Sequence, residues 1–125
     1  MIIEVRVYRT KPGLRSRFLQ FFEEKAGPLQ QRIGIQVFGP FVDLDDADSF
    51  VWLRAFPDMR ERDRMKNALY QGSEWKGGLE AEAMPMLEDY KSITTETTAH
   101  TFTFRDLQSR QVEIASRTGL IQKGN

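Results

Sequence analysis

Three residues in the first nine of this chain could do chemistry together: Glu4, Arg6 and Tyr8, spaced two apart within I-E-V-R-V-Y. A strand sends alternate side chains to opposite faces, so this spacing puts a carboxylate, a guanidinium and a phenol on one face. A second run, Phe50 to Phe56, has the same parity and adds Trp52 and Arg54. A buried carboxylate neutralises one guanidinium; a second guanidinium beside it then needs an anion or ordered water. A structural ion pair, with Tyr8 completing a hydrogen-bond network, accounts for Glu4 and one arginine. The other arginine is in excess, and it points to a small ligand with an acidic or aromatic part. Glu4 and Tyr8 are the only carboxylate and phenol that this pattern places in such a pocket, and no catalytic residue is assigned.

Other chemistries are narrowed by composition. The chain has no cysteine, which removes disulfides, thiolate nucleophiles and Cys-ligated metals. Its one histidine, His100, lies beyond the last expected strand, which argues against a haem ligand and against histidine acid-base catalysis. In the acidic run Asp43 to Asp48, the positions where a calcium loop needs glycine and a bidentate glutamate hold Asp48 and Arg54, so a solvated turn is expected and no metal. No glycine-rich phosphate loop or nucleophile elbow is present, and no cofactor is expected. Eighteen basic residues balance eighteen acidic ones, a charge that does not suit nucleic acid or an anionic membrane. With no signal peptide or apolar run of bilayer length, the default expectation is a cytoplasmic protein.

The elements that must position these residues follow in order. After strand Ile2 to Tyr8, Lys11-Pro12-Gly13 opens a helix with apolar residues Leu14, Phe18, Phe21, Phe22, Ala26 and Leu29 at helical spacing. It is expected to run to about Gln31 and to kink or end near Ala26, ahead of Gly27-Pro28. Ile33 to Phe41 reads as a second strand with a bulge or edge at Gly39-Pro40, paired as a hairpin with Phe50 to Phe56. Asp58 is the expected N-cap of a second helix carrying Met59, Met65, Ala68 and Leu69. Its polar residues Arg60, Arg62, Arg64 and Lys66 read as a solvated face rather than an anion site. A brief helical piece, Leu79 to Met84, then precedes a fourth strand from about Met86 to Thr95.

Strand, helix, strand, strand, helix, strand is an α+β, ferredoxin-like βαββαβ order with an antiparallel sheet and both helices on one face. Ile3, Val5 and Val7, with Val51, Leu53 and Ala55, are expected under the helices, leaving Glu4, Arg6, Tyr8, Phe50, Trp52, Arg54 and Phe56 on the opposite face. So much aromatic surface needs a cover, and a second copy of the chain is the expected one, giving a homodimer around a cavity. Residues 1–96 form the domain on this reading, and 97–125 a C-terminal strand and helix extension packing on the dimer.

E-V-R-V-Y with K-P-G, Gly39-x-Phe41 leading into the apolar third strand, Arg62 ahead of Ala68-Leu69, and Glu74-Trp75 occur here in an order that resembles the NIPSNAP family. Lys66 stands where members often carry a second arginine, and Gly72-Ser73 where they have an acidic residue and proline. The resemblance implies a dimeric α/β barrel, two sheets facing each other around a cavity, with undefined biochemical activity. The expected ligand-binding set is Glu4, Arg6, Tyr8, Trp52, Arg54 and Trp75. Two other readings stay open: a cofactor-free enzyme of the monooxygenase type known on this fold, and a protein-interaction module whose barrel is only a core.

Overall fold

The structure is a computed structural model that describes residues 1–98. Four strands, β1 (Ile2–Thr10), β2 (Gln36–Val42), β3 (Ser49–Phe56) and β4 (Leu87–Glu96), form one antiparallel sheet in the order β2-β3-β1-β4. That order and the two crossings over one face make the fold ferredoxin-like. The expected ordered extension over 97–125 lies, from residue 99 onward, outside the described residues.

The first helical crossing is α1 (Arg15–Phe21), a π-helical turn (Phe22–Ala26) and α2 (Gly27–Ile33), all in continuous helical backbone. Where the sequence suggests a kink or stop near Ala26, the chain instead widens by one residue per turn. Pro28 lies at the first turn of α2, so its missing N–H falls at the widened turn instead of breaking a regular ladder. Gly34 ends the segment at φ 107°, a left-handed cap that suits glycine. The second crossing is α3 (Met59–Tyr70), begun by the Asp58 side chain accepting from the Glu61 N–H at 2.8 Å. A π-helical turn (Trp75–Leu79), α4 (Glu80–Ala83) and a short 3-10 turn (Met84–Met86) lead into β4.

The sheet is the other way up from the expectation. Glu4, Arg6, Tyr8, Phe50, Trp52, Arg54 and Phe56 lie under the helices, each no more than 9% exposed. They pack with Phe18, Phe21, Phe22, Leu29, Met65 and Leu69 of the helices in two adjoining clusters. Ile3, Val5, Val7, Val51 and Leu53 occupy the open face, where Val7 is 37% exposed. Two effects explain the inversion. The helices bring large rings that need large partners, and the charges of Glu4, Arg6 and Arg54 meet one another, which offsets part of the penalty for burial. Phe50, Trp52 and Phe56 are therefore covered within the protomer and need no second copy.

β2 is an edge strand whose register with β3 shifts between Phe38 and Phe41, the expected bulge. Gly39 sits there at φ 109°, and a Cβ would stand 3.2 Å from the Phe41 ring and 3.3 Å from the Trp52 Cα. Only glycine fits that backbone. The acidic connection is tied down from inside. Asp43 Oδ1 accepts from the Asp45 and Asp46 N–H groups, Asp46 Oδ1 from that of Asp48, and Arg15 Nη1 donates to the carbonyls of Asp43, Asp46 and Ser49.

Candidate functional site

The centre of the site is the carboxylate of Glu4, fully buried on β1 opposite Arg54 of β3. Its Oε1 accepts from Arg54 Nε at 2.7 Å and Arg6 Nη1 at 3.5 Å; its Oε2 accepts from Arg62 Nε at 2.6 Å and Lys66 Nζ at 3.4 Å. Four cations thus converge on one anion. Burial alone would raise the Glu4 pKa, but the guanidiniums of Arg54 and Arg62 and the ammonium of Lys66 outweigh it and hold the group at about 2.

The rest of the network runs outward from the two buried arginines. Arg54 Nη1 donates to Gln30 Oε1 and to the Tyr70 hydroxyl, both at 3.0 Å, and Gln30 is oriented by its own bond to the Ala26 carbonyl. Arg6 Nη2 donates to the Tyr8 hydroxyl at 2.8 Å. Burial raises the Tyr8 pKa against the opposing pull of Arg6, so the phenol keeps its proton. Both guanidinium carbons stand 5.4 Å from the Trp52 ring centroid, so the indole packs against both cations. Three buried donors in this stack, Arg6 Nε, Trp52 Nε1 and Arg54 Nη2, have no acceptor among the described residues.

Beside the stack lies a cavity of about 30 Å³, room for a water molecule or two. Tyr8, Gln30, Trp52 and Tyr70 line it, with Phe22 and Trp75 closing it from the helical side. The arginines' hydrogen-bond partners are therefore its walls.

Of the six residues expected from sequence, Glu4, Arg6, Tyr8, Trp52 and Arg54 come together on β1 and β3. Trp75 reaches the same cavity from the far side, its ring 5.5 Å from that of Tyr70 and away from the carboxylate. The cavity is between the sheet and helices of one protomer, not between two sheets; of the six, Tyr8, Trp52 and Trp75 line it, and Glu4, Arg6 and Arg54 do not. Gln30, Arg62, Lys66 and Tyr70 were not in the expected set. Arg62, Lys66 and Tyr70 fall at i, i+4 and i+8, a stripe on one face of α3, and that spacing is a signal the sequence carries. Reading the face as solvated holds for Arg64, which is exposed and paired with Glu61, and fails for Arg62 and Lys66.

Fold and site together define a ferredoxin-like α+β domain with a charged, aromatic-walled core between sheet and helices. The NIPSNAP family model matches residues 3–101, and the chain belongs to the NIPSNAP family. Among solved structures it is similar to an uncharacterized NIPSNAP domain protein from Burkholderia xenovorans (21% identity, TM-score 0.73, covering 82% of this chain and 100% of the other). It is also similar to a NIPSNAP family protein of unknown function from Agrobacterium tumefaciens (20% identity, TM-score 0.70, 81% and 91% covered). A structure described as an antibiotic biosynthesis monooxygenase shares the fold at 18% identity and TM-score 0.61, covering 79% of this chain and 100% of the other. No curated protein matches the sequence. Among the described residues no helix is long and apolar enough to cross a membrane.

Proposed function

We propose that this NIPSNAP protein binds a small carboxylate or phenolate, acidic or aromatic, in the cavity between its sheet and its helices. The observation that carries this reading is the set of three buried donors without an acceptor among the described residues, Arg6 Nε, Trp52 Nε1 and Arg54 Nη2, beside an excess of positive charge. Glu4 neutralises one of the two innermost guanidiniums, and an unpaired buried cation is costly until an anion meets it. A ligand carboxylate has two acceptor oxygens for these donors, and the aromatic walls suit a planar body. The likeness to a monooxygenase structure is one of fold, and no reaction is assigned.

A thermal-shift screen of acetate, benzoate, salicylate and phenol derivatives against the parent and Arg6→Ala tests the reading. A ligand that binds only the folded state raises the melting temperature in proportion to the logarithm of its concentration. The parent is expected to be stabilised by at least one of these anions and Arg6→Ala by none. A parent indifferent to all of them leaves the cluster as a purely structural network.

The second part of the proposal is a homodimer through the open sheet face, now the opposite face from that expected. Phe41, Val51 and Val7 form one cross-strand row there, ended by Lys91, and Phe38, Leu53, Val5 and Ile93 the next. Val7, Phe41 and Ile93 are 37%, 42% and 44% exposed, a contiguous apolar surface of the kind that a second copy covers.

A further inference from the structure

The cavity is too small for a six-membered ring, so a ligand with an aromatic body requires one of its walls to move. We infer that Trp75 is that wall, and that the turn carrying it is the gate that sets which anions reach the buried donors. The inference rests on the anion-binding reading for its ligand and on the packing alone for its mechanics.

The lining side chains are not equally fixed. Trp75 and Tyr70 are only half-buried, while the others are at most 9% exposed and belong to the sheet or to the helices packed on it. Tyr70 is held from behind by Arg54, through its hydroxyl. Trp75 has no comparable anchor. It begins a turn, Trp75–Leu79, that contains no buried residue and meets the core through the partly buried side chains of Trp75 and Leu79 at its ends. Its indole N–H donates to Glu80 Oε2 at 3.1 Å in an exposed bond, and the neighbouring Glu74 pairs with Arg32 where both side chains are more than half exposed. Exposed contacts of this kind hold weakly. Gly77 and Gly78 follow, with nothing within 4 Å of where either Cβ would be. Two consecutive glycines in open space give the turn backbone freedom that no packing requires. A swing of this turn takes the indole off the Tyr70 ring and opens the aromatic wall toward solvent, while the charged stack beneath stays in place.

The gate has a reporter that needs no ligand. Trp52 is 2% exposed, and its indole N–H has no acceptor among the described residues, so its hydrogen exchange reads the opening of the cavity. Exchange of that proton, and the association rate of benzoate, are measured by NMR and stopped-flow fluorescence on the full chain, on Trp75→Ala and on Gly77→Ala/Gly78→Ala. Both rates should rise roughly tenfold when the wall is removed and fall several-fold when the glycines are stiffened. Amide exchange of β1 and β3 is the control for global unfolding and should be unchanged in the double alanine variant. Trp52 exchange that is the same in all three proteins, or that changes only in step with β1 and β3, overturns the gate. If Trp75→Ala does not fold, the double alanine variant decides alone. Trp52 exchange that responds as expected in a protein that binds no benzoate leaves the gate standing and removes the anion-binding reading.

Discussion

Glu4 is the residue on which the site depends, because Arg6, Arg54, Arg62 and Lys66 all meet its carboxylate. Its pKa falls from 4.5 to about 2 on folding. A carboxyl whose folded pKa is depressed contributes stability in full above its unfolded value and loses it as the pH falls through the folded value. A displacement of this size corresponds to about 3 kcal/mol, in line with the roughly 3–5 kcal/mol typical of breaking a buried pair from one side. Urea midpoints measured from pH 6 downward should therefore drop between pH 4.5 and about 2 in the parent. In Glu4→Gln they should start lower and show a flatter decline over that window. Equal acid sensitivity in the two proteins would mean that Glu4 is not the group that couples folding to protons.

At the scale of elements, the alternation of β1 and β3 is plain in the sequence, and so are the Asp58 cap, the bulge at Gly39 and the gathering of Glu4, Arg6 and Arg54 on one face. What alternation cannot say is which of the two faces meets the helices. That is decided by partners far along the chain, here Phe18, Phe21 and Phe22 against Tyr8, Phe50 and Trp52. Charge is a misleading guide when opposite charges can pair inside the core. Arg15 shows the same limit: its three carbonyl acceptors lie some thirty residues further along the chain, beyond the reach of any local pattern. The inversion moves the proposed dimer surface to the row Phe41, Val51 and Val7 and the row Phe38, Leu53, Val5 and Ile93. Val7→Lys, at the middle of that face, should convert a dimer into a monomer in light scattering at micromolar concentration. A Val7→Lys protein of unchanged mass, or a parent already monomeric, would refute the assignment of that face.

For the molecule as a whole, one side of the sheet is apolar and open while the other is charged, aromatic and enclosed. In the proposed reading, assembly and ligand binding use different faces, so neither has to compromise the other. The anion-binding core is the central claim, and its donors can be observed directly. Nitrogen-15 NMR of the full chain resolves the Trp52 indole N–H and the Arg6 and Arg54 side-chain N–H groups. Titration with benzoate should shift all three, with benzyl alcohol at the same concentrations shifting none, because a neutral body of the same size brings no acceptor charge to the unpaired donors. Benzoate that leaves Trp52, Arg6 and Arg54 unmoved, or benzyl alcohol that moves them equally, would contradict the account.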